Sequence, residues 1–267
     1  MNKKDTKRKY TIKGLLIVFL IICLSVFIYS AYNIVTWFIE NKENKNIQEE
    51  LKEFIQEEPK VSNEKAKQEE VKYVVDFASL KEKNSDTVAY LKVNNTNIDY
   101  VVVKGSDNRY YLTHNLNKKY NKSGWIFADY RDKFDGNDKN VIIYGHNTKD
   151  GSMFGTLRRV VEEEWYNNED NLLIPLVTEN ETVYYRVFSV YKVDKEDYYI
   201  QTEFESDTTY KIFLNKIKSR SIKKFDVPLD ENDKILTLST CTAGGKRRVV
   251  LHAKRVDEKI NENQDNN

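Results

Sequence analysis

Cysteine is nearly absent. Two residues, Cys23 and Cys241, stand in a chain of 267. Cys23 lies inside a long apolar run and Cys241 far downstream of it. If that run spans a membrane the two thiols cannot meet, so no disulfide framework is expected and Cys241 is a lone, candidate reactive thiol. Proline and glycine are scarce, at three and nine residues, which excludes a flexible low-complexity chain. Neither charge sign is in excess, with 43 Lys and Arg against 42 Asp and Glu. That leaves no basic surplus of the kind that marks a nucleic-acid binder. Histidine is limited to His114, His146 and His252. Their scatter shows no ligand spacing with one thiol, which argues against zinc, and no cofactor is expected.

A long hydrophobic run is present. Lysines and Arg8 crowd the first nine residues, and apolar sequence then runs from Leu15 to about Phe38. About 20 apolar residues suffice to cross a bilayer as a helix, and basic flanks stay cytoplasmic. A cleaved signal peptide is the rival reading. The stretch exceeds an h-region of about 7–15 residues, and Tyr29-Ser30-Ala31 is a weak cleavage site. The expectation is a basic cytoplasmic tail over 1–13, a single-pass signal anchor over 14–39 and a charged helical spacer over 40–70. One exported domain then covers 71–256, followed by a polar tail over 257–267. Helical spacing of Ile47, Leu51, Phe54 and Ile55, and again of Val71, Val74, Val75 and Leu80 after Pro59, predicts two helices ahead of the domain.

From Val88 the pattern shortens to β-rich runs. Candidate strands are Val88–Val93, Ile98–Val103, Gly124–Ala128, Val141–Gly145, Leu172–Val177, Thr182–Asp194, Lys234–Ser239 and Arg248–Lys254. Asn, Asp, Gly and Lys turns separate them, and the 18 tyrosines suit half-buried strands. Eight short strands predict a closed β-barrel or a sandwich. Two helical interruptions are expected, around Met153–Glu163 and over Thr208–Ser219. In the second, Tyr210, Phe213, Leu214 and Ile217 form a stripe at helical spacing.

The chemistry-bearing residues sit at strand ends. Cys241 closes Thr237-Leu238-Ser239-Thr240-Cys241. A thiol needs its thiolate favoured, or a base nearby, to act as a nucleophile; otherwise it is an inert buried cysteine, the commoner case in an arbitrary domain. His146 ends Val141-Ile142-Ile143-Tyr144-Gly145-His146. There an imidazole can protonate an amine leaving group and then serve as base. His114 lies in a polar loop and reads as peripheral, and His252 as a packed strand histidine. Arg248 opens the last strand, where a hairpin return would bring its cation beside the thiol to stabilise the thiolate, the oxyanion of a tetrahedral intermediate or a substrate carbonyl. Its neighbour Arg247 points to the other face of the pleat. The plain alternative for either arginine is a solvated strand edge.

These residues resemble the sortase family, class B most closely. The likeness rests on Thr237-Leu238-Ser239-Thr240-Cys241, Arg248-Val249-Val250-Leu251-His252-Ala253-Lys254, Tyr144-Gly145-His146, Asn97-Ile98-Asp99-Tyr100-Val101-Val102-Val103 and Gly124-Trp125-Ile126-Phe127-Ala128-Asp129. It covers roughly Val71 to Val256. The N-terminal helices and the helix between late strands point to class B. The resemblance implies a mainly β, closed eight-stranded barrel. It implies a membrane-anchored cysteine transpeptidase that cleaves a C-terminal sorting motif of secreted proteins after Thr. The thioacyl-enzyme is then resolved by an amine of peptidoglycan or its lipid-linked precursor. By motif, Cys241 is the nucleophile, His146 the acid/base and Arg248 the oxyanion or substrate stabiliser. Their neighbours Tyr144, Ser239 and Thr240 are implied substrate contacts, with no metal in the chemistry. A hydrolysing cysteine peptidase shares the same intermediate, and an inactive anchored scaffold is the reading from another class.

Overall fold

The computed structural model describes residues 3–59, 71–194, 196–241 and 247–256. The expected tail over 257–267, the spacer beyond Pro59 and the loop 242–246 lie outside the described residues, as does the side chain of Cys241. The chain divides into two compact units, Met1–Lys45 and Asn46–Asn267.

Helix α1 (Lys3–Leu51) makes up the described part of the first unit and runs on into the second. By length and composition it is able to cross a membrane. Apolar side chains from Leu15 to Ile39 are exposed along it.

In the second unit, Ile47 and Leu51 are buried at the end of α1. A 3-10 turn (Lys52–Phe54) leads to strand β1 (Ile55–Pro59), which pairs antiparallel with β2 (Val71–Val75). The second expected N-terminal helix is therefore corrected. Val71, Val74 and Val75 lie in a strand, Ile55 lies in its partner, and helix α2 begins only at Phe77 (Phe77–Lys83). A short apolar run reads as helix or strand by spacing alone, and pairing decides. The true start is marked by Asp76, whose carboxylate accepts from the Ser79 backbone N–H (3.0 Å) and hydroxyl (2.7 Å). The hairpin packs Tyr73 and Val75 against Phe77, Tyr90 and Val177.

The remaining strands are β3 (Thr87–Lys92), β4 (Asp99–Val103), β5 (Phe127–Ala128), β6 (Asn140–His146), β7 (Leu173–Thr178), β8 (Thr182–Asp194), β9 (Ile235–Cys241) and β10 (Arg247–Val256). Among the described residues these eight close a barrel in the order β10-β8-β7-β3-β4-β5-β6-β9. Closure leaves no free sheet edge. Strand bounds match the sequence expectation closely except for Gly124–Ala128, where only Phe127 and Ala128 join the ladder. Gly124 instead sits at φ +57°, and a Cβ there would lie 2.2 Å from the Tyr111 carbonyl oxygen, so this stretch turns rather than extends.

Val101, Val102 and Val103 in β4 and Ile142 and Ile143 in β6 are all buried. Their continuous apolar runs, without alternation, follow from cover on both faces. A 3-10 stretch (Gly155–Val161) and helix α3 (Glu163–Tyr166) bury Leu157, Val160 and Trp165. Helix α4 (Asp207–Ser219) lies between β8 and β9 and starts in a Ser206–Thr209 capping box. It buries Tyr210, Phe213, Leu214 and Ile217, each such side chain contributing about 1.5–3 kcal/mol.

Candidate active site

Strand pairing brings the three sequence-predicted residues level with one another. Strands β6 and β9 run parallel, and His146 is the register partner of Cys241 at their shared C-terminal end. Neighbouring strands lie about 4.8 Å apart, so the two backbones are adjacent. Strand β10 flanks β9 on the other side, with Val250 opposite Ser239 and Leu251 opposite Leu238. Extending that register by two residues brings Arg248 level with Cys241. The Cys241 position on β9 is thus central, between the strands that carry His146 and Arg248.

His146 is held from several directions. Its ring Nε2 bonds to the Leu112 carbonyl oxygen at 2.7 Å. A carbonyl only accepts, so Nε2 carries a proton and Nδ1 is the nitrogen left to exchange one. Its own carbonyl accepts from the N–H groups of Thr148 and Phe154, both at 3.0 Å. Gly145 before it allows close packing, since a Cβ there would lie 2.4 Å from Ile126 Cδ1 and 2.7 Å from Phe154 Cγ.

Arg248 and Arg247 separate as the pleat requires. The Arg248 side chain is 19% exposed and Arg247's is 75% exposed. Arg248 Nη1 donates to Asp197 Oδ1 (3.2 Å), the Tyr199 hydroxyl oxygen (3.1 Å) and the Glu196 carbonyl (3.4 Å). Arg247 meets only Asp194, at 3.6 Å, among its described contacts. The Tyr199 hydroxyl also hydrogen-bonds to Ser239 Oγ at 2.9 Å, linking the arginine to the strand that carries Cys241. Neither Tyr199 nor Asp197 was singled out from sequence. The Tyr198-Tyr199 pair in a polar segment was the available signal. The Leu112 contact, made by backbone, leaves no signal at all.

The three implied substrate contacts are buried. The Tyr144 hydroxyl donates to Asp129 Oδ2 at 2.9 Å, Ser239 is engaged by Tyr199, and Thr240 Oγ1 accepts from the Val249 N–H at 2.9 Å. Burial pushes the Asp129 carboxyl up, but bidentate Arg131 (2.7 Å for each bond) and Tyr144 outweigh it and leave it below the usual carboxylate range.

The other two histidines are engaged by partners of their own. His114 Nδ1 bonds to the Tyr110 carbonyl at 2.9 Å, and its ring stacks on Tyr110 with centroids 4.1 Å apart. His252 is fully buried between Tyr191 Oη and Thr237 Oγ1, each at 2.8 Å. Burial drops its pKa to about 3. Thr237 gives its proton to Asn140 Oδ1 (2.6 Å), so His252 Nδ1–H donates to Thr237 and Nε2 accepts from Tyr191. No group of three or more His, Cys, Asp or Glu able to hold a metal ion occurs among the described residues.

A cysteine position at a strand end, between strands that carry a histidine and an arginine on a closed eight-stranded barrel, fits a cysteine acyl-transfer enzyme. A family profile for the sortase domain matches residues 91–256. Sortase B of Listeria monocytogenes is 34% identical over 239 residues, covering 88% of this chain and 94% of its own. Sortase B of Staphylococcus aureus is 32% identical over 251 residues, covering 93% and 97%. The crystal structure of sortase B from B. anthracis in complex with AAEK1 superposes with a TM-score of 0.71 at 33% identity, over 82% of this chain and 99% of that one. The chain belongs to the sortase family, class B, and is a cysteine transpeptidase.

Proposed function

We propose that this transpeptidase cleaves a C-terminal sorting motif of secreted proteins and joins them to an amine of peptidoglycan or its lipid-linked precursor. The observation that carries the reading is the alignment of His146, Cys241 and Arg248 across three neighbouring strands. The Cys241 thiolate adds to the scissile carbonyl carbon, and Arg248 stabilises the oxyanion. Collapse of the tetrahedral adduct breaks the C–N bond as His146, through Nδ1, protonates the departing amine. A thioester remains on Cys241. The acceptor amine then attacks that thioester, gives its proton to His146 and expels the thiolate, forming a new amide.

Tyr144, Ser239 and Thr240 act in this scheme from beneath the site, by fixing strand ends and the Tyr199–Arg248 link, since their hydroxyls are engaged within the protein. The apolar helix over 14–39 serves as a single-pass anchor, with the basic tail 1–13 cytoplasmic, 40–70 a spacer and 71–256 the extracellular catalytic domain. Its support is helix length, apolar exposure and basic flank.

The test is a peptide-library cleavage assay with mass spectrometry of products, run with and without an amine acceptor. Transfer product with acceptor is expected, and hydrolysis alone in both arms would favour the peptidase reading. Cys241→Ala should abolish both cleavage and the covalent adduct while leaving the circular-dichroism melt close to that of the parent. Turnover retained in that variant would remove Cys241 as the nucleophile.

A further inference from the structure

The segment between β4 and β5 carries an exposed aromatic group that the catalytic machinery does not use. Tyr110 and Tyr120 are 37% and 61% exposed. Between them stands His114, stacked on Tyr110 at 4.1 Å and meeting the Tyr120 edge at 6.1 Å. Core packing is met by the neighbouring Tyr111, which is fully buried. The trio is held by backbone. His114 and Tyr120 face each other in an antiparallel bridge, Asn115 N–H bonds to the Lys119 carbonyl, and Asn121 N–H bonds to the Thr113 carbonyl, both at 2.9 Å. Lys118, within the tight turn, takes φ +59°. An aromatic surface fixed this way loses little entropy on binding, and clustered exposed apolar surface marks interaction sites.

Charge and position narrow the partner. From Asp107 to Ser123 the sequence carries four cations, Arg109, Lys118, Lys119 and Lys122, against one carboxylate, Asp107, although Asp86 pairs with Lys118 at 3.0 Å. The whole chain carries only +1, so this is a local concentration of positive charge. Position follows from Leu112, two residues from both Tyr110 and His114, whose carbonyl bonds to His146 Nε2 at 2.7 Å. Two residues span at most about 7 Å, so the aromatic group begins next to the acid/base that must deprotonate the incoming amine.

We propose that Tyr110, His114 and Tyr120, with Lys119 and Lys122, form the docking surface for the acceptor's anionic amino-sugar body, presenting its amine to His146. Tyrosine rings present an apolar body to the C–H faces of sugar rings and a polar tip beside it, the Tyr110 hydroxyl being held by the Lys118 carbonyl at 3.3 Å, while the lysines meet the carboxylates or phosphates of the acceptor. The inference rests on the transpeptidase reading above and adds where the acceptor binds.

The test uses the full chain in detergent, acylated by a sorting-motif peptide. Three acceptors bearing the same amine are compared: a disaccharide-bearing muropeptide, its sugar-free stem peptide, and the lipid-linked precursor. In the parent, the muropeptide KM should be several-fold below that of the stem peptide. Combined Tyr110→Ala and Tyr120→Ala should raise the muropeptide KM about tenfold, towards that of the stem peptide. Acylation measured without acceptor should fall less than twofold. Tyr120→Phe should keep most of the preference, and Lys119→Glu with Lys122→Glu should raise KM and weaken its dependence on salt. Ile212→Ala, about as exposed on α4 as Tyr120 is here, serves as the control. A preference shown by the soluble muropeptide assigns the surface to polymeric wall, and one confined to the precursor assigns it to the lipid-linked form. Equal KM for all acceptors, or a KM unmoved by the tyrosine changes with acylation intact, overturns the surface alone. A parent chain that forms no thioester overturns the transpeptidase reading and the surface with it.

Discussion

Arg248 and Arg247 are adjacent in sequence and differ fourfold in exposure, 19% against 75%. The difference comes from pleat alternation, so each arginine has its own expected consequence. Arg248→Ala should lower single-turnover acylation by about a hundredfold or more, the usual cost of an oxyanion donor. Arg248→Lys should recover only part, because an ammonium cannot reproduce the planar fork that reaches Asp197 and Tyr199. Arg247→Ala should stay within about threefold of the parent, as expected for an exposed pair. A severe Arg247→Ala beside a near-normal Arg248→Ala would reverse the assignment. The histidines divide in the same way. His146→Ala should remove most acylation and flatten a bell-shaped pH–rate profile, since one group must be ionised while the other is protonated. His114→Ala should leave acylation nearly intact. Equal losses in both would leave His146 without its role. The three positions proposed for catalysis were chosen from residue type at strand ends alone. Tyr199 was not, because its role exists only through a hydroxyl that meets two strands at once.

At the scale of elements, β6 and β9 do most to place the chemistry, and Gly145 shows how tightly. A methyl group there meets Ile126 and Phe154 well inside contact distance. Gly145→Ala should cost about 1–3 kcal/mol, the range for overpacking a dense core. It should also slow acylation, because relief requires β6 to move beside His146. Denaturant melts and single-turnover rates together check this, and a variant with parent stability and rate would show that the contact relaxes freely. Helix α4 and the long strand β8 were readable because their patterns are long and periodic. The β1–β2 hairpin was not, since five-residue runs carry no decisive period and β1 gains its identity only from pairing with β2.

At the scale of the whole molecule, a pH dependence of stability is expected from a buried histidine that the proposed chemistry does not use. His252 is neutral in the fold, with its pKa lowered to about 3 from an ordinary 6.5. Its contribution to stability is therefore complete above pH 6.5 and is lost as pH falls from 6.5 towards 3, where the unfolded chain takes up a proton that the fold refuses. The slope of unfolding free energy against pH between 6.5 and 4 should be shallower in His252→Gln than in the parent. The slope is the readout, because the variant also alters the bonds to Tyr191 and Thr237. An unchanged slope would show that other groups set the acid limit.

The sequence by itself determined most of the barrel strands, which run is apolar enough to cross a bilayer, and which thiol, imidazole and guanidinium stand at strand ends. Those properties are local, written in periodicity and residue type over a few neighbours. Tertiary structure alone decided that β6 pairs parallel with β9 and that β10 closes on β9's other edge. It thereby set three distant residues level on adjacent strands. It also decided that Tyr144, Ser239 and Thr240 are buried with their hydroxyls engaged within the protein and that Leu112 offers its carbonyl to His146. Such pairings depend on loop closure and on burial of both faces of the barrel, long-range terms that local residue patterns do not encode.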